Sequence, residues 1–232
     1  MSTLSGPSAA PAAGGPPRQL VVLLHGVGAD GADLITLSQA MGRLLPNARF
    51  VAPNGPEPCD MAPMGYQWFS LSDRDPANML AGVQRSAPLI DAFIDEELAR
   101  DGLGDHQLAL LGFSQGTMMS LHVAPRRAQA MAAVLGFSGA LLAPEKLAAE
   151  VVARPPMLLI HGDADQVVPV QALHGAVAGL QAADIPVQWS VRPGLPHGID
   201  PEGIAAGASF LAEAFKEPGK ERGKEGGEES GA

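Results

Sequence analysis

Gly112-Phe113-Ser114-Gln115-Gly116 matches G-x-S-x-G, a spacing in which two small residues let a serine stand on a sharp turn with its hydroxyl clear of the chain. A serine hydroxyl is a weak nucleophile until a base takes its proton, and a carboxylate commonly orients that base. The chemistry to look for is acyl transfer through a serine, a histidine and an acid. In a chain of 232 residues with 28 glycines, however, the pentapeptide alone proves little. Its surroundings must decide.

Six histidines compete for the role of base: His25, His106, His122, His161, His174 and His197. His122 falls two turns into the segment after Ser114 and points elsewhere. His106 precedes the apolar run before Ser114, at the wrong end of it. His174 sits within a helical pattern. His25 and His161 each end an apolar run, where a packing or hydrogen-bonding role is common. His197 lies in "RPGLPHGID", a loop punctuated by Gly194, Pro196 and Gly198, and is the expected base. For the acid, "LLIHGDADQVVP" offers Asp163 and Asp165, one of which is expected to serve as a turn or cap. The D-x-D start also matches the opening of a calcium loop, but the next ligand position is Val167 and the required glycine is absent.

The elements that must position these groups emerge from hydrophobic patterning. Apolar runs at 20–24, 48–53, 108–113, 132–138, 156–162 and 187–193 read as strands, several of them apolar throughout, as in parallel strands covered on both faces. Helical patterns lie between them. One spans Asp33 to Leu45. Another opens at Asp75-Pro76, repeats Met79, Val83, Ala87, Ile90, Ile94 and Leu98 at helical spacing, and stops at Gly102, with Pro88 expected to kink or split it. Others come after Ser114, Pro144, Pro169 and Ile199. Alternating strands and helices predict an α/β fold with a mostly parallel sheet and function at the carboxyl ends of its strands.

This frame separates two serines. "LALLGF" supplies a strand before Ser114 and "QGTMMSLHVA" a helix right after it. "LGFS" recurs at Leu135–Ser138, but Ala140 replaces the second glycine and the next helix waits until Pro144. Ser138 is therefore read as a structural strand end. The order Ser, Asp, His along the chain is that of an α/β-hydrolase.

Composition narrows the field. The length suits one domain, and with 46% hydrophobic but only 4% aromatic residues the core must be mainly aliphatic. A net charge of −10 argues against nucleic acid or an anionic membrane as partner. Cys59 is the single cysteine, which excludes an internal disulfide and fits a reducing compartment. The start has neither a basic region nor a continuous apolar core of a signal peptide, and no apolar run reaches membrane-spanning length, so a cytoplasmic location without stable membrane insertion is expected. Residues 1–18 are expected to be extended or flexible, 19–215 to form the folded domain, and 216–232 to be a disordered charged tail.

"LLHGVGADGADL", "LGFSQGTMMS", "IHGDADQVVP" and "GLPHGID", in that order from about Gln19 to Phe215, together resemble the phospholipase/carboxylesterase family, which includes bacterial carboxylesterases and acyl-protein thioesterases. The resemblance implies an α/β-hydrolase fold, mostly parallel and without a separate cap domain. It selects Asp165 as the acid, with Asp163 supporting, and implies that the backbone N–H groups of Val27 and Gln115 form the oxyanion hole. Two preorganised donors on one oxygen would stabilise a tetrahedral intermediate. "APNGPEPCDMAPMGYQWFSL" resembles the family's loop to a Trp-aromatic-Asp segment, with Ser70 where relatives carry Asp. Trp68 is expected at the substrate pocket, and Met61, Met64, Phe69 and Leu71 could join it in an acyl-binding wall, with ordinary packing of a long loop as the competing reading.

The function so implied is a serine carboxylesterase for short- to medium-chain acyl esters, acting on a small ester or thioester with no metal or organic cofactor. An acyl-protein thioesterase or lysophospholipase with the same triad is the alternative, and a homodimer is compatible with the sequence. Gly26-x-Gly28-x-x-Gly31 also matches a dinucleotide-binding pattern of NAD-dependent oxidoreductases. Asp30 and Asp33 would repel a pyrophosphate there, and the next apolar run ends in Pro53-Asn54 rather than a ribose-binding acid. A non-catalytic binding module would be expected to lack one of the triad residues, and none is missing.

Overall fold

Along Leu20–Leu24 successive side chains feed two different cores: Leu20, Val22 and Leu24 on one face, Val21 and Leu23 on the other. A strand buried on both sides has no reason to alternate polar and apolar residues, which accounts for the uninterrupted runs. In the computed structural model, which describes residues 4–216, the strands are β1 (Ser8–Ala9), β2 (Gln19–Leu24), β3 (Ala48–Val51), β4 (Glu57–Pro58), β5 (Tyr66–Gln67), β6 (Leu108–Phe113), β7 (Ala133–Phe137), β8 (Met157–Gly162) and β9 (Val187–Arg192). The main sheet runs β1-β3-β2-β6-β7-β8-β9, parallel except for β1, and β4 and β5 form a separate hairpin.

The helices are α1 (Gly31–Leu34), α2 (Leu37–Met41), α3 (Pro76–Asp101), α4 (Gln115–Val123), α5 (Pro144–Glu150), α6 (Gln171–Ala182) and α7 (Pro201–Ala214). Residues of α3 to α6 supply the core on one face of the sheet, and those of α1, α2 and α7 the core on the other. From β2 the chain first steps outward to β3, then returns to the far side of β2 with β6 and continues outward to β9. The strand order thus reverses between β2 and β6, and it is beyond the carboxyl ends at such a reversal that open α/β sheets form their ligand crevice.

One helix expectation is corrected, and of the two outcomes expected at Pro88 one is excluded. The helix read from Asp33 to Leu45 begins at Gly31 and is broken into α1 and α2, because the Thr36 hydroxyl bonds the Asp33 carbonyl and the intervening turn tightens. Pro88 does not split α3. It lies on the exposed face, beside a helix stripe anchored by Val83, Ile90, Ile94 and Leu98, so the packing outlasts one missing hydrogen bond. The Asp75 carboxylate caps α3 and Gly102 ends it in the left-handed region (φ 67°), both at the expected places.

The segment before Gln19 takes part in the sheet: Ser8 and Ala9 pair with Val51 and Phe50, and Leu4 is buried against the core. Apart from Lys216, the charged tail lies outside the described residues. Among the described residues no helix is long and apolar enough to cross a membrane.

Candidate active site

Ser114 joins β6 to α4 at φ 55°, ψ −114°, a conformation that costs an L-residue energy and persists only where the surroundings enforce it. They do so through close approach. A Cβ on Gly112 would come within 2.5 Å of the Gly116 backbone, and one on Gly116 within 1.8 Å of the Leu24 carbonyl oxygen. The Ser114 N–H is held by the Phe137 carbonyl at 2.9 Å. Ser138 also has positive φ, at 51°, so backbone strain does not distinguish the two serines. Their downstream neighbours do. Ser114 opens a helix, whereas Ser138 enters a loop, where its buried hydroxyl makes a long bond of 3.4 Å to the Gly198 carbonyl.

His197 meets Ser114 from the loop between β9 and α7, with Nε2 at 3.0 Å from the serine Oγ. Its Nδ1 lies 2.7 Å from Asp165 Oδ2. The only consistent proton placement puts a hydrogen on Nδ1, donated to the carboxylate, and leaves the Nε2 lone pair facing the serine hydroxyl. Asp165 Oδ1 accepts the N–H groups of Val167 and Val168 at 2.8 and 2.9 Å. Burial works against its charge, but the His197 bond and the Val168 and Val167 bonds outweigh it and hold the carboxyl below the usual range.

Contacts from three neighbouring segments fix the histidine loop. Asp163 Oδ1 accepts the Gly194 N–H, Ala164 N–H donates to Leu195, and Ser138 reaches Gly198. At the loop's base Asp200 accepts the Arg192 guanidinium at 2.8 Å while its other oxygen caps α7 through the Gly203 N–H. Gly162 must be glycine, since a Cβ would lie 2.0 Å from the Leu195 carbonyl oxygen. His161, fully buried, donates from Nε2 to the Val168 carbonyl at 2.8 Å and stands 3.3 Å from Asp165 Oδ2, behind the acid rather than in the relay.

The other side of the crevice is the turn after β2. The Leu24–Gly112 register sets this turn beside the elbow, and a Cβ on Gly26 would lie 3.3 Å from the Ser114 Cβ. The Gln115 N–H is at the first position of α4, where no intrahelical acceptor exists. The Val27 N–H shares its peptide unit with the Gly26 carbonyl, which accepts His25 Nδ1–H at 2.7 Å and Ala29 N–H at 3.2 Å. Gly55 N–H donates to His25 Nε2, which fixes that tautomer. Burial lowers the His25 pKa, only partly offset by the Gly26 bond and by Asp30 and Asp33, so the ring stays neutral.

Trp68 is adjacent to the site but lines no pocket. It is fully buried, as is Phe69, and Leu71 is nearly so, so the expected wall is packed core. The indole is large enough to fill the space under the β2 turn, and its N–H finds the buried His25 carbonyl at 2.9 Å. Only Met61 and Met64 of that group are exposed. Ser70 donates its hydroxyl to Asp60 Oδ2 at 2.5 Å. The glycine-rich turn leaves no seat for a pyrophosphate: Gly31 N–H is taken by Asn54, Asp33 N–H by Asp30, and α1 is four residues long.

Sequence reasoning missed the side chain of Gln115 and the Asp60–Ser70 pair; it read Ser138 and His161 as structural, without their partners Gly198 and Val168. The Asp200-Pro201 cap signal could have marked the loop's far anchor. The rest depend on partners far away in sequence.

A serine on a strained strand-to-helix turn at the reversal point of a mostly parallel sheet, with a histidine brought to it after the last strand, is the arrangement of the α/β-hydrolase class. Residues 8–214 match the phospholipase/carboxylesterase family model, and the chain belongs to that family. Among similar proteins, the esterase YpfH of Escherichia coli is 29% identical over 185 residues, covering 80% of this chain and 78% of that one. Acyl-protein thioesterase 1 homolog 1 of Dictyostelium discoideum is 28% identical over 205 residues, covering 83% and 89%. The crystal structure of esterase PE8 superposes with a TM-score of 0.87 at 43% identity, covering 91% of this chain and 99% of that chain. The protein is a carboxylic ester hydrolase.

Proposed function

We propose that Ser114 is the nucleophile, His197 the general base and acid, and Asp165 the group that orients the histidine. The observation that carries this is the unbroken chain from Ser114 Oγ through His197 to Asp165, at 3.0 and 2.7 Å. Ser114 Oγ attacks the acyl carbonyl carbon as its proton passes to His197 Nε2. The carbonyl oxygen, now negative, is met by the Val27 and Gln115 N–H groups. The bond to the leaving oxygen or sulfur breaks as His197 returns the proton to it. Water, deprotonated by the same nitrogen, then attacks the acyl-serine; the bond to Ser114 Oγ breaks as His197 returns the proton to it, and the acid is released.

Esters rather than thioesters lead this reading because PE8, an esterase, is similar along nearly its whole length. Short- to medium-chain acyl groups are favoured, supported by Val27 as a modest side chain in the turn after β2 and by the burial of Trp68, Phe69 and Leu71, which leaves them packed in the core rather than lining an acyl groove. The test compares wild type with Ser114→Ala, by fluorophosphonate labelling and by turnover of p-nitrophenyl esters from acetate to palmitate. Labelling and turnover are expected in wild type and lost in the variant, with the profile falling toward palmitate. Labelling that persists in the variant overturns the assignment of the nucleophile, and a maximum at palmitate overturns the substrate class.

A further inference from the structure

The two N–H groups assigned to the oxyanion lie on separate segments, Val27 after β2 and Gln115 at the start of α4, so something must hold their separation. The side chains behind them form a closed path. Gln115 Oε1 accepts the Trp68 N–H at 3.0 Å, and Gln115 Nε2 donates to the Phe69 carbonyl at 2.6 Å. The Trp68 indole N–H in turn donates to the His25 carbonyl, two residues before Val27, and its ring packs on the His25 ring with centroids 5.2 Å apart. The remaining polar group of Trp68, its carbonyl, accepts the Ser86 hydroxyl from α3. Gly82, one turn earlier on α3, lets the helix press on Phe69, where a Cβ would fall within 2.7 Å.

Gln115 and Trp68 are both fully buried, so water does not compete for these bonds. Nothing in the acyl-transfer relay requires the path. A fully buried glutamine with both amide ends on neighbouring backbone is costly to desolvate and is kept only if its partners stay in place. Catalysis requires that the donors be aimed before the negative oxygen forms, because a misplaced donor must reorganise at the moment of reaction.

The geometry points to Trp68 and the Gln115 side chain as an internal brace that sets the spacing of the Val27 and Gln115 N–H donors, which makes Trp68 a positioning residue for the oxyanion hole. Trp68 touches no substrate in this role. It acts through the His25 carbonyl on one side and the Gln115 amide on the other. The inference rests on the proposed serine mechanism and its oxyanion donors.

Two full-length variants test it. Trp68→Phe removes the indole N–H, and benzothienylalanine incorporated at position 68 replaces that N–H by sulfur at nearly unchanged shape, which guards against misfolding. The readouts are kcat, KM, affinity for a trifluoromethyl ketone whose hemiketal adduct with Ser114 Oγ places an oxyanion in the hole, and the urea midpoint. Loss of an entire oxyanion donor costs about 10²–10³ in rate, so a donor displaced but not lost is expected to lower kcat by ~10–100-fold with KM within about twofold. Trifluoromethyl ketone affinity should weaken by a similar factor in the sulfur variant while its urea midpoint stays near wild type. Wild-type kcat in a folded variant overturns the brace, and so does a fall in kcat with unchanged ketone affinity. Ser114→Ala separates the two levels: if it keeps turnover, the serine mechanism itself fails. If it is inactive while the sulfur variant matches wild type, only the brace fails.

Discussion

Asp165 spends both carboxylate oxygens on fixed donors, two backbone N–H groups on Oδ1 and the His197 ring on Oδ2. Asp165→Asn would keep the Oδ1 bonds and present an amide N–H to His197 Nδ1. The ring would then adopt the other tautomer, with Nε2 protonated and unable to accept the serine proton. A fall in kcat of about 10³–10⁴-fold, with KM and melting temperature nearly unchanged, is the expected outcome in steady-state assays. A loss smaller than about tenfold would remove Asp165 from the mechanism. At this scale Ser114 and His197 were legible because their neighbours carry punctuation: glycines around the serine, Gly-Pro-Gly around the histidine. The amide of Gln115 was not, because its partners lie 46 and 47 positions away and no local pattern encodes them.

At the scale of elements, glycines record where backbones touch. Gly116 lies where α4 presses on the end of β2, and a methyl group there would overlap the Leu24 carbonyl. Gly175 lies on the exposed face of α6 with nothing within 4 Å. Gly116→Ala is therefore expected to cost on the order of 3 kcal/mol, seen as a lower urea midpoint together with lost activity. Gly175→Ala should stabilise by about 0.5–1 kcal/mol, because alanine is the better helix former and meets no obstacle. Equal effects of the two would contradict this reading of close approach. The six strand runs of the sequence correspond to β2, β3, β6, β7, β8 and β9; burial on two faces leaves a strong apolar signal in β2, β6, β7 and β8, while the half-exposed edge strand β9 is marked only by its two valines and a tryptophan. The two-residue strands β1, β4 and β5 left none, and the break between α1 and α2 depends on one threonine hydroxyl that periodicity cannot see.

For the whole molecule, two buried histidines set a dependence on pH. Burial, aided by the nearby Arg126 charge and opposed by Glu150, lowers the His122 pKa to about 4, and burial lowers that of His25 as well. An unfolded chain binds protons at these sites near pH 6.5, while the native chain does not. Stability is thus complete above that pH and is lost as pH falls from about 6.5 toward 4, by up to roughly 3 kcal/mol through His122. Urea midpoints measured from pH 7 to 4.5 should fall in wild type and fall less steeply in His122→Asn. An identical slope in both would show that His122 titrates normally. The overall architecture was legible because alternating strands and helices dictate the layer order. The switch-point crevice was legible only as a place, since its walls come from side chains of segments distant in the chain.

The hairpin of β4 and β5 ends in the residues that reach Gln115, yet its tip carries Met61 and Met64, 52% and 80% exposed. The same short segment is therefore divided by what descent can alter. Exposed side chains at the tip can be exchanged without opening the core. From Gly65 onward the chain is held, first by the Gly28 carbonyl that a Cβ at position 65 would strike at 2.1 Å, then by the bonds of Trp68 and Phe69. A lineage built on this frame can vary the exposed tip while the packed segment behind it stays fixed.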